Sequence, residues 1–141
     1  MTIRTMAASD YEAALALWNE CAGLGLSERD DSREGIAAFL ARNPRTCFIA
    51  EEEGVLAGTI LAGHDGRRAH IYHAAVAARF RGRGIARALV EKACDALRTE
   101  GIPKAALVTF SDNADGNAFW ERCGFHERRD LSYRDRKLFD F

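Results

Sequence analysis

His70-Ile71-Tyr72-His73-Ala74-Ala75-Val76-Ala77-Ala78-Arg79-Phe80-Arg81-Gly82-Arg83-Gly84-Ile85-Ala86 is the stretch on which the reading of this chain turns. It starts with the composition of a strand, His70–Val76, on which successive side chains alternate faces. That alternation predicts that His70 and Tyr72 share a face with Ala74 and Val76 and that His73 points the other way. Two glycines come next, Gly82 and Gly84, and then the period changes. From Ile85 to Thr99, Ala86, Leu89, Val90, Ala93 and Leu97 recur at helical spacing, and Gly101 closes the helix.

A glycine turn between a strand and a helix has a specific chemical use. Glycine lets the backbone turn tightly and approach a ligand with no side chain in the way. The N–H groups that open a helix lack intrahelical partners and sit at the positive end of its dipole, which makes a seat for an anion. Arg79, Arg81 and Arg83 add charge-assisted donors suited to phosphate oxygens. The chemistry fits a pyrophosphate. The chain has no GxxxxGK[ST], which excludes a P-loop nucleotide hydrolase. It also has no GxGxxG after the first strand with an acidic ribose partner, which argues against a nicotinamide-binding domain.

Before this stretch, Thr2–Met6 reads as a strand. Ser9 with Glu12 reads as a capping box opening a helix that carries Leu17 and Trp18 and stops near Gly23. Asp31 or Ser32 could cap a second helix with Ile36, Phe39 and Leu40 on one face, ended by Asn43-Pro44. Cys47–Ala50, a turn at Glu53-Gly54 and Val55–Gly63 make a hairpin, and Asp65-Gly66 turns into the His70–Val76 strand. After the long helix, Ala105–Phe110 reads as a strand. Asp112 or Asn113 could cap a short helix that ends at Cys123-Gly124, and Phe125–Leu131 and Arg136–Phe139 read as closing strands. The order is that of an α/β domain built round a mixed sheet. Its 141 residues are sized for one domain, taken as 1–141.

Composition narrows the function classes. Lys plus Arg number 20 against 21 Asp plus Glu, for a net charge of −1, which argues against nucleic acid as the main partner. No segment approaches the roughly 20 apolar residues that a membrane span needs, and Met1–Asp10 has no long apolar run, so no membrane partner is expected. Cys21, Cys47, Cys94 and Cys123 form no CxxC pair and no metal-ligand spacing with a histidine. They read as reduced thiols in a cytoplasmic protein, with no metal expected.

At the glycine turn the sequence resembles the GNAT superfamily of acyl-CoA-dependent N-acyltransferases. The family's [Q/R]-x-x-G-x-[G/A] motif is matched by Arg81-Gly82-Arg83-Gly84-Ile85-Ala86. Ala74-Ala75-Val76 precedes it at the family's distance. Asn113, Phe119, Trp120, Gly124 and Phe125 resemble the family's N-x-x-A-x-x-L-Y-x-x-x-G-F segment. With the element order, the likeness covers nearly the whole chain. It departs from the family pattern at Ala78, where proline is frequent, at Gly116, where alanine is usual, and at Trp120, where the family usually has the tyrosine proposed to protonate the leaving thiolate.

The resemblance implies a GNAT-like fold: a mixed, mostly antiparallel central sheet flanked by helices, its fourth and fifth strands splayed around the acyl-CoA site. It implies acetyl-CoA as cosubstrate, with the backbone N–H groups of Arg81, Gly82, Arg83, Gly84, Ile85 and Ala86 on the pyrophosphate. Ala74, Ala75 and Val76 would bond the pantetheine arm like an added strand, Asn113 would touch the arm, and Trp120 would pack against it or stabilise the thiolate. Indole N–H donates a hydrogen bond but does not give up a proton near neutral pH, so Tyr72 or Tyr133 could supply the acid in its place.

In several family members the slot six residues before this valine carries Glu or His near the acceptor amine, and His70 occupies it here. An imidazole with a pKa near about 6.5 suits a base or water orienter. His73 reads as a hydrogen-bonded core histidine. His64, Asp65 and the run Glu51-Glu52-Glu53 read as surface turns.

The function expected is direct transfer of an acetyl group to a primary amine of a small molecule, amino acid or peptide in a ternary complex. The alternative is a non-catalytic acyl-CoA-binding regulatory module, for which Trp120 is the sequence feature. An RNA-modifying acyltransferase is disfavoured by the charge balance. Trp18, Leu24, Leu26, Arg29 and Tyr133 are candidates for the acceptor side. Dimers are common in the family, which leaves a homodimer open by analogy.

Overall fold

Five strands make one open sheet in the order β1-β2-β3-β4-β5. They are β1 (Thr2–Thr5), β2 (Phe48–Glu52), β3 (Val55–His64), β4 (Ala69–Val76) and β5 (Ala105–Ala106). The first three pairings are antiparallel and β4–β5 is parallel. The helices are α1 (Tyr11–Glu20), α2 (Arg33–Arg42), α3 (Ile85–Thr99) and α4 (Ala114–Arg122). This computed structural model describes residues 1–140. The chain forms two compact units, Met1–Val108 and the part from Thr109 onward.

In the first unit, helices cover both faces of the sheet. On one face Met6, Ala14, Leu17 and Trp18 pack with Ile36, Leu40, Ile49, Leu61 and Ala75, which joins α1 and α2 to β2, β3 and β4. On the other lies α3, whose Ile85, Leu89, Val90, Ala93 and Leu97 are buried. Each such side chain stabilises by about 1.5–3 kcal/mol when fully buried, less for Ala. The fit is close on both sides. A Cβ on Gly58 would stand 3.0 Å from Leu89 Cδ1, and one on Gly63 would stand 2.6 Å from Phe39 Cζ.

Helix boundaries reflect local chemistry. Gly35 N donates to the Ser32 Oγ cap of α2 at 3.0 Å, and Asn43 ends that helix before Pro44. The Ser9–Glu12 box is not what opens α1. A 3-10 turn at Ala8–Asp10 comes first, and the Asp10 carboxylate accepts from Ala7 N at 2.8 Å while Arg4 Nη1 and Nη2 donate to it at 2.9 and 2.8 Å. A two-donor guanidinium fork holds Asp10 more firmly than a serine hydroxyl would, and α1 starts at Tyr11.

The alternation expected along His70–Val76 does not hold. Thr59 pairs with Ala75 but Leu61 pairs with Tyr72, so β4 carries one residue more than β3 over this interval. The bulge falls at His73, whose φ is 47°. His70 and Tyr72 do share a face, but the extra residue reverses the phase beyond them. His73 turns to the α1 side, its ring 4.7 Å from that of Trp18, and Ala75 joins the same core while Val76 takes the other face. Parallel pairing with β5 stops at His70–Ala106, so the strand expected over Ala105–Phe110 is only two residues long.

In the second unit, Asn113 Oδ1 caps α4 by accepting from Gly116 N at 3.0 Å. A Cβ on Gly116 would lie 2.6 Å from Asn113 Nδ2, so the missing methyl makes room for this cap. Gly124, with φ 87°, comes after the helix as expected. The two closing strands are not formed among the described residues. The charged run after Phe125 satisfies itself locally instead. Glu127 N and His126 Nδ1 bond the Glu121 carboxylate at 3.1 and 2.9 Å, and Arg128 pairs with Asp130 at 2.9 Å.

Trp18 Nε1 donates to Thr59 Oγ1 at 2.9 Å, and that hydroxyl donates to the His73 carbonyl at 2.8 Å. Thr59→Val keeps the shape but leaves a buried donor and acceptor unmatched, at about 1–3 kcal/mol each. Urea unfolding should show destabilisation of about 2–6 kcal/mol with an unchanged m-value.

Candidate active site

The glycine turn begins where β4 ends. After Val76 a 3-10 turn, Ala78–Phe80, plugs the sheet with the buried ring of Phe80, and Arg79 and Arg83 guanidinium carbons stand 4.4 and 5.2 Å from that ring's centre. Arg81 Nε donates to the Val76 carbonyl at 3.2 Å, fastening the turn to the strand end. Gly82 and Gly84 both have φ 80°, in the left-handed region that a Cβ disfavours, and nothing lies within 4 Å of where either Cβ would be. Gly84 is the N-cap of α3 and, as a glycine, supplies no side-chain cap to the first turn of the helix. An open, uncapped helix N-terminus beside arginines is a cradle that an anionic ligand fits.

Upstream, β4 presents its second feature. β5 pairs with β4 only at Ala69 and His70, so the ladder does not extend to the Ala74–Val76 end of the strand. On the α1 side of this strand His70 and Tyr72 stand together, ring centroids 4.6 Å apart, with Phe39 edge-on to Tyr72 at 5.7 Å. Tyr72 is 46% exposed. Burial holds the His70 imidazole below its ordinary pKa, favouring the neutral form that can accept a proton.

His73 is hydrogen-bonded, as expected of it, through Nε2 to Asp31 Oδ1 at 2.6 Å. Burial opposes ionisation of Asp31, but the His73 contact and the Ser27 N–H outweigh it and hold the carboxyl below its usual range. Sequence reasoning missed Asp31, weighing it only as a helix cap. Spacing carries no trace of a pairing that spans 42 residues.

Other expected residues are placed differently. Trp18 is fully buried in the core, Leu24 packs against that core and Leu26 is exposed. His64 Nδ1 accepts from Gly66 N at 2.9 Å, which leaves Nε2 to donate to Glu100 at 2.8 Å. Asp65 Oδ1 accepts from Arg67 N and Arg68 N, as a turn residue does. Glu51, Glu52 and Glu53 pair with Arg4, the N-terminal amine and Arg83. Burial pushes the Cys47 thiol up to about 11, and none of the four cysteines is in a disulfide. In the second unit Trp120 lies between Phe119 and Phe125, at 5.1 and 5.2 Å.

Residues 11–125 match the family described as Acetyltransferase (GNAT) family. The chain belongs to that family. It is 33% identical over 132 residues to an acetyltransferase of Photorhabdus laumondii, covering 94% of this chain and 91% of that one. Among solved structures, the aminoglycoside 6'-N-acetyltransferase of Acinetobacter haemolyticus superposes with a TM-score of 0.77 at 19% identity, covering 99% of this chain and 100% of that one. A Thermoplasma acidophilum N-acetyltransferase in complex with coenzyme A superposes at 0.74 with 17% identity, covering 86% of each chain. The GNAT acetyltransferase family thus shares this fold, an open, mostly antiparallel sheet with a parallel β4–β5 pair. Among the described residues no helix is long and apolar enough to cross a membrane.

The buried state of His70 has a measurable consequence. Its folded-state pKa lies below the ordinary 6.5, so the unfolded chain binds the proton more tightly. The folded state should lose stability as pH falls through 6.5, and the loss should be complete below the folded-state pKa. NMR titration of the ring should give a midpoint below 6.5, and His70→Phe should remove that part of the acid sensitivity.

Proposed function

We propose that this GNAT family member is an N-acetyltransferase that takes acetyl-CoA and a primary amine of a small molecule, amino acid or peptide into one ternary complex. The observation that carries the reading is continuity. β4 continues beyond its last β5 pair, His70–Ala106, and its end runs directly into a glycine turn and a helix N-terminus whose cap residue is a glycine. A ligand with an amide-bearing arm and a pyrophosphate needs those two features in that order. The coenzyme A bound to the Thermoplasma acidophilum relative agrees with this choice.

The backbone of Arg81–Ala86 would hold the pyrophosphate, with Arg81 and Arg83 adding positive charge. Ala74, Ala75 and Val76 would bond the pantetheine arm through main-chain groups. Asn113 and Trp120 enter the reading through the family segment alone; the Asn113 side-chain oxygen is engaged in its cap, which leaves Nδ2 to donate. Bound acetyl-CoA supplies an activated thioester. His70, neutral and on the α1 side of β4, takes the proton from the amine directly or through water. Tyr72 beside it carries the phenolic proton that Trp120 cannot supply. The mechanism needs no reactive cysteine, and the domain is read as 1–141, cytoplasmic, with a homodimer left open.

The experiment that tests the reading is release of free CoA from acetyl-CoA across a panel of amines, amino acids and peptide N-termini. Stimulation by one acceptor class would establish transfer. Acetyl-CoA binding with no release by any acceptor would favour the regulatory module.

Two sets of variants test the residues. Gly82→Asp with Gly84→Asp should abolish CoA binding in calorimetry by placing negative charge in the anion seat. The paired alanine variant carries only the backbone strain of about 1–3 kcal/mol per site and should bind measurably. Wild-type affinity in the Asp pair would show that the loop is wrongly placed. His70→Ala should lower kcat by about 100-fold or more with little change in acetyl-CoA affinity, and should remove the acid limb of the pH–rate profile.

A further inference from the structure

The β4 bulge and the segment joining α1 to α2 are tied by a set of hydrogen bonds that the transfer chemistry does not use. His73 Nε2 meets Asp31 Oδ1 at 2.6 Å, with side-chain exposures of only 9% and 10%. The second Asp31 oxygen accepts from Ser27 N at 2.8 Å, and the Asp31 carbonyl accepts from the Tyr11 hydroxyl at 2.7 Å. Asp31 is thus bonded to its own loop, to α1 and to β4. From the other side, Thr59 holds the His73 carbonyl and Trp18 packs against the ring. A non-glycine residue at φ 47° persists only where its surroundings over-determine it, and here the hydroxyl, the indole and the carboxylate do so.

The consequence lies in what the bonds connect. Residues 21–32 have no helix or strand of their own and contain Gly23 and Gly25, both at positive φ. Without a tie such a segment would open readily, because it has few regular backbone bonds. Asp31 anchors it to the residue next to Tyr72, on the face where His70 and Tyr72 stand.

We propose that Asp31 and His73 are positioning residues: their bond fastens the 21–32 segment to the β4 bulge, so that an amine acceptor meets a wall already set against the reacting strand. The function of that wall rests on the acetyl-transfer reading above, whereas the fastening does not.

Hydrogen–deuterium exchange of the full chain without substrates tests the fastening. His73→Phe fills the space but cannot donate, and amides of residues 27–31 should exchange about tenfold faster or more while those of β3 and α3 keep wild-type protection. His73→Gln carries a side-chain N–H able to reach Asp31 and should restore most of the protection. Asp31→Asn removes the charge and leaves one carbonyl oxygen where the Ser27 and His73 donors converge, and should raise exchange in the same direction as the Phe variant. With acetyl-CoA and an active acceptor, His73→Phe should raise the acceptor KM by about tenfold, with kcat and acetyl-CoA affinity within about twofold, and Gln should rescue. Unchanged exchange at 27–31 in the Phe and Asn variants would overturn the fastening. A fall in kcat that Gln does not rescue, with KM unchanged, would overturn the positioning role in favour of a chemical one. If no acceptor is ever acetylated, the acetyl-transfer reading fails while the exchange result stands by itself.

Discussion

β4 fits one residue too many against β3, and the cost of that mismatch is concentrated at His73. A left-handed conformation disfavours any side chain, so the bulge must be held by contacts stronger than the strain. Thr59 Oγ1 supplies one on the carbonyl and is itself fixed by the Trp18 indole. Trp18 and Thr59 are fully buried, so water does not compete for the bond between them. The bulge bends the strand, and parallel pairing with β5 ends at His70. Beyond that pair β4 continues without the β5 ladder to Val76.

The end of β4 gains its chemical interest from the turn it runs into. Three residues after the bulge, the strand ends at Val76 and the backbone enters the turn that leads to the α3 N-terminus. The strand end and the turn are bonded directly by Arg81 Nε on the Val76 carbonyl. α3 anchors the arrangement because its apolar stripe is buried on the sheet beneath, which fixes the direction of its N-terminus. The positive end of the dipole is therefore presented by the packing of Leu89, Val90 and Ala93, residues that never approach a ligand.

The polar groups of the site divide by what they do. His70 is kept neutral by burial and so is suited to accept a proton, while Asp31 is kept ionised by the bonds it accepts. The two lie on one strand and on the loop facing it. The carboxylate spends its bonding capacity on His73, Ser27 and the fold, which separates the group that holds geometry from the group available for chemistry.

Much of this was legible in the chain. The α3 helix is marked by a long, regular apolar stripe between Gly84 and Gly101, and its bounds came out as Ile85–Thr99. The glycine turn was legible because its demands are local: positive φ at Gly82 and Gly84 and an uncapped helix start are fixed by neighbouring residues. The caps at Ser32 and Asn113 are local for the same reason. What the sequence could not determine was phase. A bulge is decided by which β3 residue each β4 residue meets, so alternation placed His73 on the wrong face and Ala75 and Val76 out of step. Nor does composition show where a strand loses its neighbour: only Ala105–Ala106 of the run to Phe110 forms strand, and charged residues after Phe125 bond among themselves in place of closing strands. The Asp31–His73 pair belongs wholly to tertiary structure. Its members are far apart in the chain, each has an ordinary local role available, and only the packing of α1 and α2 onto the bulged strand brings carboxylate and imidazole within 2.6 Å.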